Sequence, residues 1–265
     1  MKTLTLLLFL SSIFYLSDIK LKHTVDIKAD KIYTDEFRNF YVISGSSFFK
    51  LSPDGKKLYE YDNNFRERIS FADVKNSLRI LIFYKETNKI VFLDNKLSIA
   101  GNTLNLENKD IFGKCLVAVA ETGDFWVLDI SNNTLIKFNS EFKDIFKKEL
   151  FEISGTPDFM TTGNNTVYIK TTEGYVYVYD NLGNFYFKPE KKIMSDFQTD
   201  NNSLLYLNKQ EKIFVSYKPE SEDSACIKLP DTVNVSLAVK SSDRLFFSDE
   251  TKVYIAEINE RKDKQ

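Results

Sequence analysis

Asp158-Phe159-Met160-Thr161-Thr162-Gly163-Asn164-Asn165 returns 38 positions later as Asp196-Phe197-Gln198-Thr199-Asp200-Asn201-Asn202-Ser203. The same offset of 38 relates Tyr168 to Tyr206 in the apolar segments that follow. A stretch doubled at fixed spacing is the mark of a repeat architecture, and it has to be resolved before any residue is read on its own. Working outward from this pair, a two-strand signature recurs six times between residues 30 and 258. The first strands are residues 39–43, 78–83, 124–128, 166–169, 203–207 and 244–247. The second strands are residues 47–51, 89–93, 134–138, 175–179, 212–216 and 252–255.

The centres of the second strands lie roughly 40 residues apart, the period of a four-stranded blade. Ser52-Pro53-Asp54-Gly55, Asp94-Asn95, Asn139-Ser140 and Asp180-Asn181-Leu182-Gly183 follow successive second strands at one offset. Asn, Asp and Gly tolerate the positive φ that tight hairpins need. The strands alternate at period two and are rich in Val, Ile, Tyr and Phe, while helical periodicity is broken throughout. The sequence predicts an all-β fold, a six-bladed β-propeller of four-stranded antiparallel blades. A blade cannot bury both faces alone, so each must pack on its neighbours. The last unit shows three strands and lacks an outer one. His23-Thr24-Val25-Asp26-Ile27-Lys28 alternates and is predicted to supply it, so that an N-terminal strand closes the ring and removes an open edge. The expected organisation is a single propeller domain over residues 22–258 and a charged tail over 259–265.

Asn39-Phe40-Tyr41-Val42, with Lys50-Leu51-Ser52-Pro53-Asp54-Gly55-Lys56, resembles a blade of the NHL-like and TolB-like six-bladed propellers. Over residues 22–258 the chain is similar to a group of exported, lysine- and asparagine-rich propeller proteins of Bacteroidetes-type bacteria with no assigned activity. The resemblance implies a fold. That fold hosts binders and enzymes alike, so function must be argued from a site.

Composition narrows the choices. Of 265 residues, 43% are hydrophobic and 28% charged, which excludes a disordered chain and a polytopic membrane protein. Thirty-six basic residues against 38 acidic ones give a net charge of −2, too balanced for counterion release to drive binding to nucleic acid. Residues 1–17 place one lysine before a short apolar run and are predicted to be a signal peptide. A retained anchor and a buried strand are the alternatives. The run falls short of the ~20 apolar residues a spanning helix needs, so no stable membrane insertion is expected once it is removed. These features predict export to the periplasm or cell envelope. Cys115 and Cys226 fall in non-adjacent units, too far apart to bridge, and are expected as buried thiols.

Candidate chemistry is sparse. His23, the sole histidine, is assigned to an outermost strand, so neither a Ser-His-Asp set nor an imidazole-ligated metal is expected. Asp73, Asp158 and Asp196 fall on or beside inner strands and are the candidate binding residues of a channel mouth. They read either as a polar or metal-binding rim or as a repeated structural Asp that accepts backbone N–H groups. Calcium asks for six to eight oxygens, and two units, at residues 116–119 and 236–239, offer no acid there. No metal, cofactor or catalytic residue is assigned.

Tyr175, Tyr177 and Tyr179 share one strand face, as a sugar-stacking platform or as inter-blade packing. Lys188-Pro189-Glu190-Lys191-Lys192 reads as a solvated loop or as an anion-binding rim. The leading expectation is a non-enzymatic, exported propeller serving as a protein-interaction platform in the bacterial cell envelope. Its binding face would gather loops 64–69, 108–114 and 188–194 with hairpins 86–88, 172–173 and 249–251. Their charges are mixed in sign, which suits an envelope protein partner better than a polyanion. The rival is a channel-mouth hydrolase or lyase, with or without calcium, acting on a sugar or lactone.

Overall fold

The computed structural model describes residues 14–63, 66–120 and 123–260. Strand β1 (Phe14–Val25) comes first, and five complete blades follow in chain order. Blade one is β2 (Lys31–Thr34), β3 (Phe40–Ser44), β4 (Ser47–Leu51) and β5 (Lys57–Asp62). Blade two is β6 (Phe71–Asp73), β7 (Ile80–Tyr84), β8 (Lys89–Leu93) and β9 (Leu104–Asn105). Blade three is β10 (Cys115–Val119), β11 (Phe125–Asp129), β12 (Thr134–Phe138) and β13 (Asp144–Glu149). Blade four is β14 (Pro157–Gly163), β15 (Thr166–Thr171), β16 (Val176–Asp180) and β17 (Phe185–Phe187). Blade five is β18 (Phe197–Asp200), β19 (Ser203–Asn208), β20 (Ile213–Tyr217) and β21 (Ser224–Lys228). Blade six takes β22 (Leu237–Ser241), β23 (Arg244–Ser248) and β24 (Val253–Glu260) from the end of the chain.

Period-two alternation builds the core. In β7, Ile80, Ile82 and Tyr84 pack against blade one, whereas Leu81 and Phe83 pack against blade three. The same division repeats round the ring, giving one apolar cluster per blade interface. A strand sandwiched in this way is buried on both sides, and every residue of β7 and of β11 is buried. The outermost β5, β13 and β17 are largely exposed. The Asn-Asn hairpins turn as their sequence requires: φ is +44° and +61° at Asn164 and Asn165, and +43° and +65° at Asn201 and Asn202. Positive φ at both central residues is the type I′ geometry that matches strand twist.

The N-terminal strand does close the ring, with different bounds from those expected. β1 pairs antiparallel with β24 from Ser17↔Glu260 to Val25↔Val253, with His23 opposite Ile255 on the outside of the disc. Its first residues also run parallel to β21, with Phe14 opposite Ala225 and Tyr15 opposite Cys226. Blades five and six therefore share one eight-stranded sheet. Residues 26–28 leave the strand, because the Ile27 N–H turns back onto the Val25 carbonyl at 2.9 Å and the chain heads for blade one. Residues 14–17 of the expected leader continue β1, and residues 1–13 lie outside the described residues. β24 takes in Asn259 and Glu260 of the expected tail, while residues 261–265 are again outside. Cys115 is buried in the core between blades two and three, Cys226 in that between blades four and five, and no disulfide joins them.

Candidate functional site: the central channel and the upper face

The inner strands β2, β6, β10, β14, β18 and β22 surround the central channel. We call the face at which they begin the upper face. It carries the connections between blades and the hairpins between second and third strands. In five blades the connection is tied to the hairpin by one backbone bond: Ile69 N–H to Gly45 at 3.0 Å, Leu106 to Asn88 at 2.9 Å, Leu150 to Asn133 at 2.8 Å, Ile193 to Gly174 at 2.8 Å and Leu229 to Lys212 at 2.9 Å. The loops singled out in the sequence thus gather on one face and are held to the blades that carry them. Asn64, at the start of one, lies outside the described residues.

The channel holds two cavities, of about 830 and 770 Å³. Phe71 and Phe159 line both. Their rings meet edge-to-face across the channel, from blade two to blade four, with centroids 6.4 Å apart. Tyr33 extends this belt on one side at 5.9 Å from Phe71, and Phe197 on the other at 5.1 Å from Phe159. Blade six offers Ser236-Leu237-Ala238 instead of an aromatic, and the larger cavity opens along that strand. Beyond the belt, Lys75 crosses the channel to Thr161 Oγ1 at 2.7 Å and the Thr162 carbonyl at 2.6 Å. Gln198 links blades five, six and one, donating to Thr34 Oγ1 at 2.9 Å and accepting from Lys240 N–H at 2.7 Å. Burial drives the Tyr33 phenol far above its ordinary range, so it stays protonated, with its oxygen accepting the Ala72 N–H at 3.1 Å.

Asp73, Asp158 and Asp196 all line this channel. Asp158 and Asp196 share the cavity at the upper rim, each just before its belt phenylalanine, whereas Asp73 lies two residues past Phe71 and deeper. Each acid has its own lysine. Asp158 holds the ammonium of Lys170 at 2.5 Å, and that lysine is only 2% exposed. Asp196 pairs with Lys31 of blade one. Asp73 is 4% exposed and accepts the Val119 N–H of blade three at 3.0 Å and the Lys75 N–H at 3.1 Å. The Lys75 ammonium stands 3.8 Å away. Among the described residues, no group of three or more His, Cys, Asp or Glu side chains is placed to hold a metal ion. These carboxylates act as ties between strands and blades.

Sequence reasoning missed the lysines. A signal was available for one of them: Lys170 follows the apolar Val167-Tyr168-Ile169 in β15, and a buried ammonium there requires a carboxylate partner.

The tyrosine stripe divides. Tyr177 and Tyr179 are buried in the core between blades three and four. Tyr175 is half-buried at the upper rim, with Lys188 Nζ 4.6 Å and Lys192 Nζ 4.3 Å from its ring centroid. Lys191 lies 4.8 Å over Tyr217 in the same way. Three successive connections of the upper face expose large apolar side chains: Phe112 at 71%, Phe151 at 82% and Met194 at 70%.

These features define the class: a six-bladed β-propeller of four-stranded antiparallel blades. No family model matches the sequence, and no curated protein matches it. Among solved structures, the fold is similar to virginiamycin B lyase from Staphylococcus aureus, with TM-score 0.63 and 13% identity over 90% of this chain and 99% of that one. A histidine-to-alanine form of that lyase, catalytically inactive, is known with quinupristin. BamB from Moraxella catarrhalis gives TM-score 0.53 and 8% identity over 93% of this chain and 99% of that one. BBS1N, seen in complex with ARL6DN, gives TM-score 0.52 and 11% identity over 86% and 77%. Likenesses at such identities establish the fold.

Proposed function

We propose that this chain is a non-enzymatic interaction platform that binds a protein partner through its upper face, in the bacterial cell envelope. The observation that carries the reading is that face: loops tied to their own blades and displaying Phe112, Phe151 and Met194 to solvent. Large apolar side chains presented on a rigid surface favour burial against a partner. Two further observations support it. The channel acids are each engaged by a lysine. The virginiamycin B lyase loses catalysis with one histidine, whereas the sole histidine here, His23, lies in β1 on the outside of the disc. The envelope assignment rests on the leader-like residues 1–17.

The test is affinity capture of the tagged chain from gently solubilised envelopes of its own organism, beside Phe112→Ser/Phe151→Ser. A stoichiometric envelope protein should co-purify with the wild type. The double variant, with unchanged melting, should lose it, because truncating a central apolar anchor removes about 2 kcal/mol or more of binding energy. A solitary propeller, or undiminished capture by the variant, overturns the reading.

The larger cavity favours a second reading. At about 830 Å³ it has the size of a small-molecule site, consistent with a hydrolase or lyase acting on a sugar or lactone. That reading in its calcium form requires calcium to raise the melting temperature, and Asp196→Ala, at a carboxylate that lines this cavity, to abolish the rise. The platform reading expects no rise.

A further inference from the structure

Two stretches that are separate in the sequence meet at the upper rim of blade four. The lysine run at residues 188–192 folds over the first tyrosine of the 175–179 stripe. Tyr175 thereby carries two ammonium groups over one ring, at 4.6 and 4.3 Å from its centroid. A ring face attracts a cation, but two like charges held on one ring repel each other. Among the described residues, no carboxylate lies within ion-pair distance of Lys188, Lys191 or Lys192, in contrast to Lys31, Lys75 and Lys170 in the channel.

The surroundings form one continuous surface. A Cβ on Gly174 would fall 2.7 Å from Met194 Sδ, and one on Gly155 would collide with the Glu173 carboxylate. The Ser154 N–H donates to the Tyr177 hydroxyl at 3.0 Å. The connection bearing Phe151, the hairpin bearing Tyr175 and the connection bearing Met194 therefore lie side by side.

We propose that this rim, Lys188 and Lys192 over Tyr175 with Met194 and Phe151 beside them, docks an acidic segment of a partner protein. A carboxylate placed beside these ammonium groups offsets their like charge and accepts a charge-assisted hydrogen bond. An apolar side chain next to that carboxylate covers Met194 or Phe151. Glu173 and Glu190 interrupt the basic rim. They disfavour a dense polyanion, which cannot avoid them, and tolerate a peptide whose charges are spaced. The inference rests on the platform reading and names the chemistry that the partner presents.

The experiment uses the purified chain and a short fluorescein-labelled peptide alternating Glu with Leu and Phe, followed by anisotropy at low and physiological salt. Binding should weaken with salt, as screened surface charges do. Lys188→Glu/Lys192→Glu should bind about tenfold more weakly while melting like the wild type, because both lysines are solvent-exposed. Tyr175→Leu, which keeps the charges and removes the ring, should fall between the two. Affinity unchanged in the double-lysine variant overturns the proposal. So does tighter binding of single-stranded DNA or a heparin fragment than of the peptide. The same variant separates this inference from the reading beneath it. If it retains the envelope partner that Phe112→Ser/Phe151→Ser loses, the platform stands and the acidic dock falls. If the peptide binds as expected but no partner is captured, the platform reading falls and the rim remains an acid-binding site.

Discussion

Asp73 and Asp196 look alike in the sequence, yet the structure assigns them unequal weight, and replacing each with alanine measures the difference. Asp73 is buried and holds two backbone N–H groups, one of them the Val119 N–H of the neighbouring blade. A net hydrogen bond to a charged group contributes about 1.5–3 kcal/mol, and the Val119 N–H would be left unsatisfied in a buried position. The Lys75 ammonium keeps Thr161 and Thr162 after the change, so it is not stranded. Asp73→Ala should therefore remove about 3 kcal/mol. For a chain of this size that is a fall in Tm of about 6–10 °C. Asp196→Ala breaks a half-exposed pair with Lys31, which contributes about 0–1 kcal/mol and should shift Tm by about 3 °C or less. Thermal melts with urea titrations on the same samples read both. A silent Asp73→Ala, or an Asp196→Ala that destabilises as much, refutes the assignment of Asp73 as the tie between blades two and three.

Three further outcomes follow from the same coordinates. The Tyr254 hydroxyl donates to Asp249 at 2.7 Å and, with the Thr251 and Lys252 N–H groups, holds that carboxyl down to about 2. A depressed carboxylate adds stability above its unfolded value near 4 and loses it as pH falls through about 2. The melting difference between wild type and Asp249→Asn should accordingly be full above about pH 4 and vanish near pH 2. Gly174→Ala puts a Cβ on a residue at φ +84°, 2.7 Å from Met194 Sδ and 3.2 Å from the Ile193 carbonyl. It should lower stability by about 1–2 kcal/mol in urea, and it should weaken peptide binding by displacing Met194. Burial pushes the Cys115 thiol up to about 12 and moves Cys226 in the same direction, so neither should react with a thiol reagent near pH 8 until the chain is denatured.

What the sequence revealed follows from where burial falls. Second and third strands are squeezed between two neighbours, so they read as unbroken Val, Ile, Tyr and Phe runs, and their recurrence gave the number of blades. Outer strands such as β5 and β13 are mostly solvated, and their Lys-Glu-rich residues carry no signal that separates strand from loop. The closing strand was found with the wrong bounds because residues 14–17 are both leader-like and strand-like, and apolarity alone does not distinguish the two. At the channel, the offset of 38 does not hold: the Asn164-Asn165 and Asn201-Asn202 hairpins, and the pairs Gly163↔Thr166 and Asp200↔Ser203, stand 37 apart, so Asp158 and Asp196 differ by one register step, and the sequence could not supply their partners. At the offset of 37 that the strand register sets, Leu207 stands in the place of Lys170, so Asp196 finds no lysine there in its own blade. It is met instead by Lys31, 165 residues away in the chain, a pairing that only ring closure creates.

A pairing made across the ring instead of within a blade points to where specificity resides in such a fold. Six blades built to one plan share their interfaces and their turn chemistry, so a position that departs from the plan is under a separate demand. The residue just before the third strand shows this clearly. It is Ser46, Asn88, Asn133, Lys212 and Lys252 in five blades, each a polar residue suited to a hairpin turn. In blade four alone it is an aromatic, Tyr175. Folding of the hairpin does not call for a tyrosine there, since the polar residues serve in five others. The tyrosine ring packs in part on the core shared with blade three, beside the buried Tyr177 and Tyr179. The ring of Tyr175 also seats Lys188 and Lys192, which no other blade's hairpin is seen to do among the described residues. The departure from the repeat and two lysines without a close ion pair coincide on one blade, and that coincidence is the physical reason to look for the partner there first.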